Sequence, residues 1–119
     1  MTIAIVGSRG LTVSDFTPYL PEGQIDKIVS GGAKGIDSDA AAFARAAGIQ
    51  LEEIKPDYER YGRGAPIVRN KQIADAADLI LIFWDGTSKG TKSVIDYCRK
   101  QGRCYFLYIK KEEGFQKEQ

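Results

Sequence analysis

The chain has 119 residues, 43% hydrophobic and 28% charged, which suits one modest core and is too short for two domains. Its 17 Lys and Arg against 16 Asp and Glu leave a net charge of +1, so it lacks the overall basic footprint of a dedicated nucleic-acid binder. Histidine is absent, which excludes a Ser-His-Asp triad, a Cys-His pair and histidine-based metal sites.

The first predicted element is a strand over Thr2–Val6. It has no basic flank, long apolar run or cleavage site, so it does not read as a signal peptide. No apolar run approaches a membrane span, and a cytoplasmic location without membrane contact is expected. A short, weak helix is predicted over Ser14–Leu20 and a second strand over Asp26–Ser30. A helix over Asp37–Ala47 follows, with Ala40, Phe43, Ala44 and Ala47 at helical spacing and Gly48 as its stop. The third strand is placed at Gln50–Ile54.

Lys55–Ala65 is a long connection for so small a domain. Its Tyr58, Arg60, Tyr61 and Arg63 suit three roles equally: stacking on a base, a dimer contact, or a cover for the core. A helix over Pro66–Ala77 opens on a proline at a favoured first position. Leu79–Trp84 has no polar alternation, as expected of a strand buried on both faces of a parallel sheet, and Trp84 is read as core. The last helix, Thr91–Gln101, is expected to be capped by Thr91 and stopped by Gly102, with a fifth strand at Cys104–Ile109. The charged tail 110–119 is expected to fray. Cys98 and Cys104 fit no zinc or redox spacing and read as a buried helix residue and a strand-start residue.

Strand and helix alternate throughout. The pattern predicts one α/β domain over residues 1–109, Rossmann-like, with a mostly parallel five-stranded sheet and helices on both faces. Three turns that each follow a strand then fall on the carboxyl edge of that sheet: Gly7-Ser8-Arg9-Gly10, Ser30-Gly31-Gly32-Ala33-Lys34-Gly35, and Gly86-Thr87-Ser88-Lys89-Gly90-Thr91. Glycine allows close backbone approach, and a following helix aims unpaired N–H groups at an anion, so the turns point to phosphate. Neither a Walker A loop nor a Gly-x-Gly-x-x-Gly fingerprint is present. Arg9, Lys34 and Lys89 add cations. Arg69 and Asn70 are placed in the first turn of the helix that begins at Pro66, Arg69 to pair with phosphate. Asp37 reads either as a helix N-cap or as an acceptor for a ribose hydroxyl, and Asp85 as a turn residue or a site carboxylate.

These motifs, in this order, resemble the SLOG superfamily, which contains the Lonely-guy phosphoribohydrolases and the DNA-processing protein DprA/Smf. The likeness is strongest to its small YspA/YpsA-like single-domain branch and runs from Ile3 to about Ile109. The resemblance implies a Rossmann-like fold that binds a nucleotide or nucleotide-derived phosphate ligand, as a sensor or binding domain, through Gly7, Ser8, Arg9, Ser30, Gly31, Gly32, Lys34, Gly35, Asp37, Arg69, Asn70, Asp85, Gly86, Ser88, Gly90 and Thr91. It also implies two alternatives. One is an N-glycosidic hydrolase, with Asp37 and Asp85 as catalytic candidates. The phosphoribohydrolase glutamate, however, is replaced by Val94, and the Pro-Gly-Gly start by Trp84-Asp85-Gly86. The other is DprA-like binding of single-stranded nucleic acid. No cofactor is required by this reading, although Asp37 and Asp85 could hold Mg²⁺ together with a phosphate. A homo-oligomer, dimer or larger, is expected.

Overall fold

A computed structural model describes residues 1–118. Six strands form one sheet in the order β3-β2-β1-β4-β5-β6, where β1 is Thr2–Gly7, β2 Lys27–Ser30, β3 Gln50–Glu53, β4 Leu79–Trp84, β5 Tyr105–Lys111 and β6 Gly114–Lys117. The first five are parallel, and β6 returns antiparallel beside β5. The helices are α1 (Ile36–Ala47), α2 (Tyr58–Tyr61), α3 (Ala65–Asp75) and α4 (Lys89–Gln101). Among the described residues no helix is long and apolar enough to cross a membrane.

The continuous apolar runs of β1 and β4 are explained by two core layers, one on each face of the sheet. Ile3, Ile5, Leu79, Leu81 and Phe83 point to one face, where Ile36, Ala40 and Ala44 of α1 cover them. Their neighbours Ala4, Val6, Ile80 and Ile82 point to the other, against Ile73 and Ala74 of α3 and Val94, Ile95 and Cys98 of α4. Strand alternation with both faces covered turns every position into a core position. Each large side chain buried this way contributes about 1.5–3 kcal/mol. Cys98 lies in the second layer, and burial pushes its thiol up to about 11. Both cysteines are free.

Several elements depart from the sequence expectation. The connection from β1 to β2 holds only one 3-10 turn, Thr17–Tyr19, in place of a helix over Ser14–Leu20. Pro18 and Pro21 cannot donate backbone hydrogen bonds, and the segment packs through Val13 and Phe16 instead. The long connection 55–65 holds α2 and a second 3-10 turn, Gly62–Gly64, which the sequence reading did not specify.

The largest departure is the tail. Over residues 110–118 it does not fray, because β6 pairs with β5 and Phe115 joins an aromatic cluster. Phe83 stacks on Tyr108 with centroids 5.1 Å apart, and Phe115 meets Phe83 edge-on at 5.2 Å and Tyr19 at 6.1 Å. A charged composition hid a strand whose single aromatic residue anchors it. Phe115→Ala should therefore cost about 2 kcal/mol and lower the melting temperature by roughly 5–10 °C. A thermal melt unchanged by the substitution would restore the frayed tail.

Candidate functional site

β1 and β4 are neighbours, but the chain leaves β1 toward β2 and leaves β4 toward β5 in the opposite direction. The loops beyond their carboxyl ends therefore diverge and open a crevice, the usual ligand position in open α/β sheets. Here the crevice is a cleft of about 410 Å³, lined by Gly7, Arg9, Gly10, Ala33, Asp37, Pro66, Arg69, Asn70, Asp85, Ser88, Gly90, Thr91 and the apolar Val6 and Val94.

The wall after β4 is a self-contained turn. Asp85 Oδ1 accepts the Thr87 and Ser88 backbone N–H groups at 2.9 and 2.8 Å, and the Thr87 hydroxyl at 3.3 Å. These bonds, the Ser88 one first, hold its carboxyl below the usual carboxylate range. Trp84 Nε1 donates to the Ser88 carbonyl at 3.0 Å and pins the same turn from beneath. Ser8, fully buried, ties β1 to this wall: its Oγ accepts the Asp85 N–H at 3.2 Å and lies 3.3 Å from the Thr91 hydroxyl. Thr91 is in turn 3.3 Å from the Ser88 hydroxyl.

The wall after β2 carries charge. Arg69, 7% exposed, donates from Nη1 to the Gly31 carbonyl at 2.7 Å and from Nε to Asn70 Oδ1 at 2.9 Å. Burial pulls its basicity down, and Asp37 partly restores it. Asp37, 6% exposed, accepts the Ala33 N–H on Oδ2 at 3.3 Å. Its Oδ1 is the one buried side-chain polar atom without a partner among the described residues. Such an atom costs on the order of 1–3 kcal/mol unless something else satisfies it. The two groups do not form an ion pair within 4.0 Å. They converge on Gly31, where a Cβ would stand 2.7 Å from Asp37 Oδ2 and 2.9 Å from Arg69 Nη1. Gly35, at φ +75°, lets this loop pack against the loop after β1: a Cβ there would collide with the Arg9 carbonyl.

The sixteen residues singled out from sequence divide into three groups. Gly7, Arg9, Asp37, Arg69, Asn70, Asp85, Ser88, Gly90 and Thr91 line the cleft. Gly31 and Gly32 line a second cleft beside it, which Arg9 and Arg69 also border. Ser8, Ser30, Lys34, Gly35 and Gly86 line neither. Ser30 spends its hydroxyl on the Asp37 carbonyl at 3.0 Å, Lys34 is exposed, and Gly86 supplies a turn at φ +90°.

Three placements are corrected. Asp37 is not a helix cap: α1 starts at Ile36 with Gly35 at its N-cap, and the carboxylate turns back to Ala33. Thr91 is not a cap either, because α4 starts at Lys89 and Thr91 lies buried inside its first turn. Arg69 and Asn70 follow the first turn of α3, since that helix starts at Ala65. Val6, Gly10, Ala33, Pro66 and Val94 also line the cleft without having been named as site residues. They are apolar residues within or beside the motifs and carry no chemical signal of their own. Val94 sits in the second core layer as well as on the cleft wall. Among the described residues no group of three or more His, Cys, Asp or Glu could hold a metal ion.

No family model matches the chain, and no curated protein matches it. Among solved structures it is similar to DNA processing protein A (DprA) from Streptococcus pneumoniae, with a TM-score of 0.68 at 18% sequence identity. This is a DprA-like Rossmann fold. The likeness covers 89% of this chain and 49% of that one, so the chain spans about half the length of the protein it resembles. At that identity the fold is what the two share.

Desolvation raises the Asp37 carboxyl above its ordinary 3.8, outweighing the Ala33 N–H and the Arg69 and Arg9 cations that pull it down. The folded protein therefore holds this proton more tightly than the unfolded chain does. Its contribution to stability is greatest with Asp37 protonated and declines as pH rises from about 3.8 through the raised folded value, then stays level. Asp37→Asn keeps the shape and removes the charge. At pH 7 its melting temperature should equal or exceed that of the wild type, and the advantage should vanish in acid. A variant several degrees less stable at pH 7 would make Asp37 a structural support.

Proposed function

We propose that the cleft between β1 and β4 binds the ribose-phosphate portion of a nucleotide, and that the chain works as a nucleotide-binding or sensing domain. The observation that carries this reading is the unpartnered buried Asp37 Oδ1 in the same cleft as the buried guanidinium of Arg69. A lone carboxylate oxygen needs a hydroxyl or N–H donor. A guanidinium beside the opening turn of a helix needs an anion. A ribose phosphate supplies both within a few ångströms.

Two glycines support it. Gly10 and Gly90 line the cleft, yet neither has a positive φ and neither would bring a Cβ within 4 Å of another group. Their backbones gain nothing from glycine in the free protein, and Gly90 in the first turn of α4 costs up to about 1 kcal/mol relative to alanine, the value for a helix interior. Close approach of a phosphate to the backbone accounts for them. Hydrolysis of the glycosidic bond is not part of this reading. Asp85 Oδ1 is committed to its turn, and the apolar Val94 stands where a catalytic glutamate would be. A Mg²⁺ would enter only with the phosphate, toward Asp37 and Asp85.

One further reading, binding of single-stranded DNA, draws on the likeness to a DNA-processing protein and on the second cleft, which Arg9 and Lys55 border. It differs from the first in its salt dependence, which is steep when several phosphates are held.

Thermal-shift and calorimetric titration with nucleoside 5′-monophosphates decides between them. Ligand at about 100 Kd should stabilise the protein by roughly 2.7 kcal/mol. Gly90→Ala should raise the melting temperature of the free protein slightly and weaken nucleotide binding about tenfold or more, because its methyl group takes the space of the phosphate. Absence of binding to any nucleotide or ribose phosphate overturns the proposal, and a salt-sensitive shift with a short oligonucleotide alone supports the DNA reading.

A further inference from the structure

The chain has a second cleft, of about 360 Å³, on the β3 side of the first. The two share Arg9, Ala33 and Arg69, so they are adjoining compartments of one groove. Their linings differ. The first is made of glycines, hydroxyls, buried charge and apolar valines. The second sets the Gly31-Gly32 backbone against Lys55, Pro56 and Tyr58 from the connection after β3.

Tyr58 is the only aromatic residue in either compartment. It is 58% exposed, the highest value among the exposed large hydrophobic residues, so its ring serves little as core. Its backbone is nonetheless fixed. Tyr58 opens the four-residue α2, whose N-cap Asp57 accepts the Arg60 N–H at 3.1 Å. Its neighbours go elsewhere: the Arg60 guanidinium lies 5.4 Å from the Tyr61 ring centroid, and Arg60, Tyr61 and Arg63 border neither compartment. A held, solvent-facing aromatic ring beside a proline and a backbone shelf is the kind of surface on which a planar ring stacks.

We infer that the second compartment is a nucleobase subsite, with Tyr58 as its stacking platform and the shared Arg9–Ala33–Arg69 ridge as the crossing point of the ribose. This rests on the nucleotide reading of the first cleft and adds to it where and by what the base is held, the feature that separates a nucleoside phosphate from a sugar phosphate without a base. Tyr58 then sets affinity for the base and leaves the phosphate untouched.

The test is calorimetric titration of the wild type, Tyr58→Ala and Tyr58→Phe with a nucleoside 5′-monophosphate and, separately, ribose 5-phosphate. The wild type should prefer the nucleotide by about tenfold or more, the scale of one base–aromatic stack. Tyr58→Ala should lose most of that preference while its affinity for ribose 5-phosphate stays within about twofold, and Tyr58→Phe should keep it. Tyr58 is exposed, so neither substitution threatens the fold. A wild type that binds both ligands equally, or a Tyr58→Ala protein that keeps the preference, overturns the base subsite and leaves the first cleft standing. Failure of the wild type to bind either ligand overturns the first cleft, and the base subsite falls with it.

Discussion

A side chain at position 7 would collide with its surroundings: its Cβ would lie 2.6 Å from the Phe83 carbonyl oxygen and 2.6 Å from Ile36 Cγ1. Because Gly7 has none, the last residue of β1 can pair with Phe83 of β4 while the start of α1 settles directly on that pair. Three elements thus meet within one side chain's width. The loop after β1, the turn after β4 and the first turn of α1, with its Asp37, are set around the same small volume. Gly35 repeats the device one layer out, against the Arg9 backbone. The cleft is a product of this packing more than of any loop's own conformation.

The charged pair in the cleft is arranged at an energetic cost. Arg69 and Asp37 are both buried, and both are shifted by desolvation away from their charged forms. A bidentate ion pair would have relieved much of that cost. Instead Arg69 is directed to the Gly31 carbonyl and to Asn70, and Asp37 to a single backbone N–H. Groups held this way are oriented by the protein itself and have few protein contacts to give up, the arrangement in which binding demands little reorganisation. The Asp85 turn is the contrary case. It is exposed and its Oδ1 is fully occupied, so its carboxylate works as the knot of a loop.

The α1 face of the sheet carries an aromatic cluster beneath this same carboxyl edge. Phe83 is one residue from the end of β4, and its ring joins Phe16, Tyr19, Tyr108 and Phe115. The segment that replaces a first crossover helix and the strand formed by the tail both anchor there. One aromatic cluster therefore closes the face that α1 leaves open, and it stands directly beneath the Gly7–Phe83 pairing that sets the cleft.

What could be read without coordinates is whatever local pattern controls. The buried run Leu79–Trp84, the small-residue face of α1 with its stop at Gly48, and three glycine turns after strands are properties of short segments, and they sufficed for a mostly parallel Rossmann-like sheet. What local pattern does not control was read less well. β6 depends on pairing with β5 and on a distant aromatic cluster, so its charged sequence resembled a tail. Asp37 looks like a helix cap by position, but with Gly35 packed close on the Arg9 backbone the helix starts one residue earlier and the carboxylate turns into the cleft. Tyr58 stood among four equivalent loop residues until the adjacency of β2 and β3 brought it opposite Gly31 and Gly32. Chain chemistry determined which groups carry charge, hydroxyls or a bare backbone. Contacts between residues far apart in sequence decided which of them face the same volume.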